Sequence, residues 1–336
     1  MSTRKVIPLG NSSLVVSLPI EWVRQNKINK GDLVDVNIQN DQSLIITPEY
    51  EREPREDKIS LTIEENEPEE SITRIIIGCY LNGYETIILK SKKKFLNKQH
   101  QAVRSTIKSL YLRIIESTTS KITIQTLMDE SKASVLLSIE RMHLITGSMC
   151  DDVLNSMRYR DMDLARSVVN LEDDVDQYLF FLLRLIRSAL IYPPLASELE
   201  LELVDCLDWQ TLIYRIEHVA DHITHIANSI INLIETRTEI PKNIWDAFLK
   251  SAEISFESYK KAVDFFLSNR IDHSNRIIDN QREIEMILKE ITPLPLLGID
   301  DRGTFSQLFI IRDSIRRICE YAADVAELTI DRAYKP

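Results

Sequence analysis

The sequence predicts a mainly α-helical protein: two consecutive three-helix bundles, preceded by a small β-rich unit and a small α/β module. Three observations carry this. Seven glycines and eleven prolines make up about 5% of the 336 residues, against roughly 12% in an average protein. Folds that need many tight turns or glycine-cradled phosphate loops are therefore disfavoured. From Met128 onward the apolar residues recur almost without a break at helical spacing. The same region repeats itself. Val168-Val169, Glu172, Val175-Asp176 and Leu179 share their spacing with Ile277-Ile278, Gln281, Ile284-Glu285 and Leu288, and Arg215 to Asp221 recurs loosely as Ile318 to Asp324.

Residues 1–50 read as short strands around one helical turn. Lys5–Leu9 and Leu14–Leu18 flank a turn at Gly10–Ser13, and Pro19 opens a helix over Ile20–Gln25. Leu33–Ile38 alternates with period two, and Gln39–Gln42 turns the chain into Ser43–Ile46. Val6, Leu14, Val16, Leu18, Val34, Val36, Leu44 and Ile46 give this unit more apolar faces than about 45 residues can cover. A homodimer formed through it is expected. Tyr50–Asp57 is charged, contains Pro54 and reads as a linker.

Residues 58–127 alternate strand and helix. Ile59–Ile63 is a strand, and Ile72, Ile75, Ile76 and Cys79 mark a helix after Pro68 that Gly83 ends. Thr86–Leu89 is a strand, Lys98–Leu110 an amphipathic helix, and Leu112–Ile115 and Ile122–Ile124 close the module. Breaks at Arg160-Asp161, Tyr192-Pro193-Pro194, Glu239–Pro241, Arg270–Asp272 and Pro293–Gly303 then cut the remainder into six helices, a bundle over 128–240 and another over 241–336.

Hydrophobic residues at 44% and charged residues at 28% exclude wholesale disorder. Up to Leu127 the chain carries 18 Lys and Arg against 16 Asp and Glu; beyond it 23 stand against 36. The net charge of −11 thus sits in the helical region, which suits cationic ligands. Cys79, Cys150, Cys206 and Cys319 show no CxxC spacing, and no leader precedes them, so a reducing cytoplasmic location is expected. The most apolar run, Tyr178–Tyr192, is interrupted by Arg184 and Arg187, so no membrane span is expected.

Three acidic pairs recur four residues apart on these helices: Glu172/Asp176, Glu217/Asp221 and Glu320/Asp324. Residues at i and i+4 share a helix face, where like charges repel. Each pair also borders an apolar stripe, and carboxylates so close to a core need a counter-cation, for which hard metal ions are suited. Glu172, Asp176, Glu217 and Asp221 are the candidate metal ligands of the first bundle. Glu285, Glu320 and Asp324 form a weaker second set, because Gln281 stands where Glu172 does in the repeat. Mg, Mn, Fe and Zn are not distinguished. His218, His222 and His225 form a stripe beside them without the intervening glutamate of a zinc protease helix. No nucleophile elbow or phosphate-binding glycine loop occurs, and no enzyme activity is expected.

Residues 4–48, through Arg4-Lys5-Val6, Gly10, Ser17-Leu18-Pro19-Ile20-Glu21-Trp22, Lys30-Gly31-Asp32 and Leu44–Pro48, resemble the AbrB/SpoVT family. That resemblance implies a dimeric swapped-hairpin β-barrel that binds DNA. Residues 130–334 resemble the PhoU family through Glu172–Asp176, Glu217–His222 and Glu320–Asp324. This implies paired three-helix bundles whose E/DxxxD motifs bind metal and which regulate phosphate uptake. The two together are similar to an archaeal type of phosphate-uptake regulator. The expectation is a phosphate-responsive regulator that contacts promoter DNA through Arg4, Lys5 and Arg24. The alternative is an adaptor for a phosphate-transporter ATPase, its front unit serving only to dimerise.

Overall fold

The computed structural model describes residues 3–10, 13–38, 43–48, 58–290 and 302–335. The expected turns at Asn11-Ser12 and Gln39–Gln42, the linker and most of the Pro293–Gly303 break lie outside the described residues. The chain divides into two units, Met1–Asp57 and Lys58–Pro336.

In the first unit β1 (Ile7–Leu9) pairs antiparallel with β2 (Ser13–Val15), and β3 (Val34–Ile38) with β4 (Leu44–Pro48). Helix α1 spans Ile20–Gln25, with Pro19 as its N-cap. The two ladders are separate, and no closed barrel forms among the described residues of the one chain. Nor is any described side chain of this unit buried. Leu14 is 73% exposed and Ile38 78%.

The second unit opens with a four-stranded sheet in the order β5 (Lys58–Ile63), β6 (Thr86–Ser91), β8 (Lys121–Thr126), β7 (Leu112–Ser117). The β5–β6 pair is parallel, because α2 (Glu69–Leu81) carries the chain between them; the other pairs are antiparallel. Ile63, Ile87, Leu89, Ile122 and Ile124 of the sheet are buried with Ile72, Ile76 and Tyr80 of α2 and Val103 of α3 (Asn97–Lys108).

The helices follow as α4 (Val135–Tyr159), α5 (Met162–Ile191), α6 (Pro193–Glu198), α7 (Leu203–Glu235), α8 (Lys242–Leu267), α9 (Ser274–Glu290) and α10 (Arg302–Ala333). Ser134 caps α4, its Oγ accepting from Leu137 N–H at 3.2 Å. Arg160 takes a left-handed conformation (φ 54°), and Asp161 then caps α5 by accepting from the N–H groups of Asp163 and Leu164. Two residues therefore reverse the chain. Pro193 does end α5, but it also opens the short α6, which periodicity did not indicate.

α5 packs between α4 and α7, and α10 packs against α7, α8 and α9. The two helix sets share one hydrophobic core from Val135 to Ala326. Along the α4–α8 seam, polar pairs bridge the sets: Arg158–Glu253 at 2.5 Å, Lys260–Asp151 at 2.8 Å and His143–Asp264 at 3.4 Å.

Arg184 joins the α/β module to the helices. Its buried side chain reaches Glu130 Oε1 at 2.5 Å through Nε and donates to the carbonyls of Tyr80, Gly83 and Tyr84 at 2.6, 3.1 and 3.1 Å. Tyr80 lies in the last turn of α2, where the helix dipole favours a cation, and Gly83 and Tyr84 follow just beyond its end. The guanidinium also lies 4.8 Å above the Tyr80 ring. The two arginines that interrupt the apolar run of α5 thus face this module, Arg187 donating to Asn82 Oδ1. No described helix is long and apolar enough to cross a membrane.

Candidate functional site

Glu172 and Asp176 stand on α5, and Glu217 and Asp221 on α7, next to buried Val168, Val175, Ile216, Val219 and Ala220. Each side chain is half-buried. The pairing of α5 with α7 brings the four charges close enough to repel one another. Burial, then the carboxylates of Asp221, Asp176 and Glu172, push the Glu217 carboxyl up to about 8. Burial with Asp221, Glu172 and Asp173 raises Asp176 to about 6. Glu172 also moves upward, through burial, Asp221 and Asp173. Burial raises Asp221 against the opposing pull of His225 and His218.

Among the described residues no Lys or Arg ion pair forms with any of the four; Glu217 has only His218, at 3.5 Å. The oxygen donors and their uncompensated charge suit a hard cation. The side chains are not drawn onto one point: among the described residues no three His, Cys, Asp or Glu groups stand ready to hold an ion.

The second set has a different setting. Glu320 pairs through Oε1 with Arg316, and through Oε2 with Arg317 Nη1 at 3.1 Å. Asp324 Oδ2 lies 2.9 Å from Arg215 Nε, whose guanidinium sits 5.2 Å from the Tyr321 ring centre. Glu285 is exposed, as are Asp279 and Glu283. Spacing did not reveal the role of Arg215, because its partner lies on another helix more than a hundred residues away. Arg316 and Arg317 stand four and three residues before Glu320, a local signal that was present in the sequence.

The histidine stripe lies in the α7–α10 seam. The His218 ring stacks on Tyr214 at 6.3 Å and tilts against Tyr321 at 5.3 Å, and His222 Nδ1 is 3.2 Å from Ser314 Oγ. Burial, then His225, holds His222 down to about 4, and burial with Arg215 lowers His218. Burial in this seam thus disfavours the charged forms of His218 and His222.

In the front unit Arg4, Lys5 and Arg24 are all exposed, Arg24 in the last turn of α1.

Residues 139–230, which span α4, α5 and most of α7 with all four clustered acids, match the PhoU domain family. The helical region carries a PhoU domain. Residues 9–54 match a second family, the antidote-toxin recognition MazE bacterial antitoxin. The front unit is therefore of the MazE/AbrB-like type. The solved phosphate transport system regulatory protein PhoU from Streptococcus pneumoniae is 13% identical, with a TM-score of 0.48 over 58% of this chain and 91% of that one. PhoU from Pseudomonas aeruginosa is 19% identical, with a TM-score of 0.44 over 58% and 93%. No curated protein matches the chain in sequence.

Proposed function

We propose that this chain is a phosphate-responsive regulator of phosphate uptake that binds promoter DNA through its front unit and a divalent or iron-type metal ion through its PhoU domain. The observation that carries the reading is the joining, in one chain, of a PhoU domain to a MazE/AbrB-like unit with uncovered strands. A second copy of the chain supplies the missing cover, and the dimer presents Arg4, Lys5 and Arg24 twice to phosphates and groove edges. Glu172, Asp176, Glu217 and Asp221 would hold the ion through oxygen, and a bound cation neutralises the charge shared by α5 and α7. The adaptor reading, with a transporter ATPase as partner, is favoured by one fact: the first 50 residues balance five basic against five acidic side chains, whereas DNA-binding units usually present a basic face.

The test is a fluorescence-anisotropy titration of the full chain against the duplex upstream of its own gene, phosphate-transporter promoters and a random duplex, with and without Mn²⁺ and phosphate. The promoter duplexes should bind more tightly than the random one. Replacing Arg4 and Lys5 by Ala should weaken binding about tenfold or more and flatten its salt dependence. Equal affinity for all duplexes, or an unchanged variant, leaves the adaptor reading in place.

A further inference from the structure

We infer that arginine side chains take the place of a cation at the second carboxylate set, so that the molecule takes divalent metal at the first helix set alone. The repeat puts Glu320 and Asp324 of α10 where Glu217 and Asp221 stand on α7. Their surroundings are nevertheless reversed. Both oxygens of Glu320 are engaged, by Arg316 and Arg317, and Arg316 Nη2 also reaches Asp313 Oδ1 at 2.8 Å. Asp324 is held by Arg215 from α7, so this pair also ties α7 to α10.

A guanidinium stays charged at every accessible pH, so these arginines do not let go by deprotonating. An entering ion would have to displace two charge-assisted hydrogen bonds on Glu320 and an ion pair on Asp324, and it would find few donors to replace them. Gln281 is uncharged, and Glu285 points to solvent. At the first set no guanidinium competes: the four acids have no arginine or lysine partner among the described residues, and their repulsion is left for a ligand to relieve. The α7–α10 seam is thus closed by side chains already in the sequence, while the α5–α7 seam awaits a cation. This inference is independent of DNA binding.

The experiment is calorimetric titration of the metal-stripped full chain with Mn²⁺ alone, with melting temperatures in EDTA. Three proteins are compared: the wild type, a Glu172→Gln/Asp221→Asn variant and a Glu320→Gln/Asp324→Asn variant. The first variant should lose Mn²⁺ binding. The second should keep the wild-type stoichiometry and a Kd within twofold, and melt about 2–4 °C lower in EDTA because its arginines have lost their partners. A lost equivalent of Mn²⁺ in the second variant, or a more than tenfold weaker Kd, overturns the inference. If the wild type takes up no Mn²⁺, the first-set reading fails separately. The melting temperature then decides: a fall in EDTA upholds the arginine assignment, and none overturns it. Should the double variant not fold, Glu320→Gln alone is read in the same way.

Discussion

Glu217 and Asp221 on α7 and Glu320 and Asp324 on α10 have the same four-residue spacing and border the same kind of apolar stripe, yet their charge is settled in opposite ways. The α7 pair faces two more carboxylates on α5, and the acids of this set are pushed toward protonation. The α10 pair faces Arg215, Arg316 and Arg317. An i, i+4 acidic pair is therefore only half of a site. Arginines one turn away on the same helix, and the residues of the neighbouring helix, decide whether the charge is balanced within the chain or left to a ligand.

The largest effect is expected where the internal balance is most buried, at Arg184. Replacing it by Met strands Glu130 and three backbone carbonyls, and should cost about 3–5 kcal/mol in chemical denaturation. A loss below about 1 kcal/mol would mean that internal arginines contribute little here, and the comparison would collapse.

An opposite sign is expected at the unbalanced set. Glu217→Gln removes one repelling charge and should stabilise the metal-free chain at pH 8.5 by about 1 kcal/mol, a value reduced by the partial exposure of the group. The pH dependence follows the same logic. A carboxyl raised from 4.5 to about 8 holds its proton more tightly in the folded state. The metal-free chain should therefore lose stability progressively as pH rises through that window, with no further loss above it. Melting curves from pH 5 to 9 check this, and a chain that grows more stable over that range would contradict it. Saturating Mn²⁺ should flatten the slope.

The smallest effect is expected at Arg316→Ala. Its side chain is 30% exposed and Arg317 still serves Glu320, so the loss should stay near 0.5 kcal/mol. A loss as large as that at Arg184 would show the α10 lattice to be more tightly coupled than its exposure implies.

Much of the architecture was legible from local signals. α1 begins and ends where Pro19 and its apolar run place it, the Arg160-Asp161 break became a two-residue reversal, and Asp279 and Glu283 face solvent as their helical angle requires. Periodicity reports which residues share a face, and so it put Glu172 with Asp176 and Glu217 with Asp221. It does not report which helix that face meets. The pairing of Arg215 with Asp324, and of Arg184 with the end of α2, depends on packing between segments distant in sequence. The repeat matched Glu320 and Asp324 to Glu217 and Asp221 in spacing, yet carried no information on Arg215; Arg316 and Arg317 were legible locally, one turn before Glu320.

The front unit, with no described side chain buried, has a consequence for abundance. On the proposed reading, in which a second copy covers the front unit, that core assembles as a second-order event, so its population rises with the square of chain concentration when the chain is scarce. At low copy number the dimeric form of that proposal would vanish faster than the protein itself. The second unit, with a core of its own, would persist without the dimer. One chain would then divide its roles by dosage, with no modification or ligand needed to set the threshold.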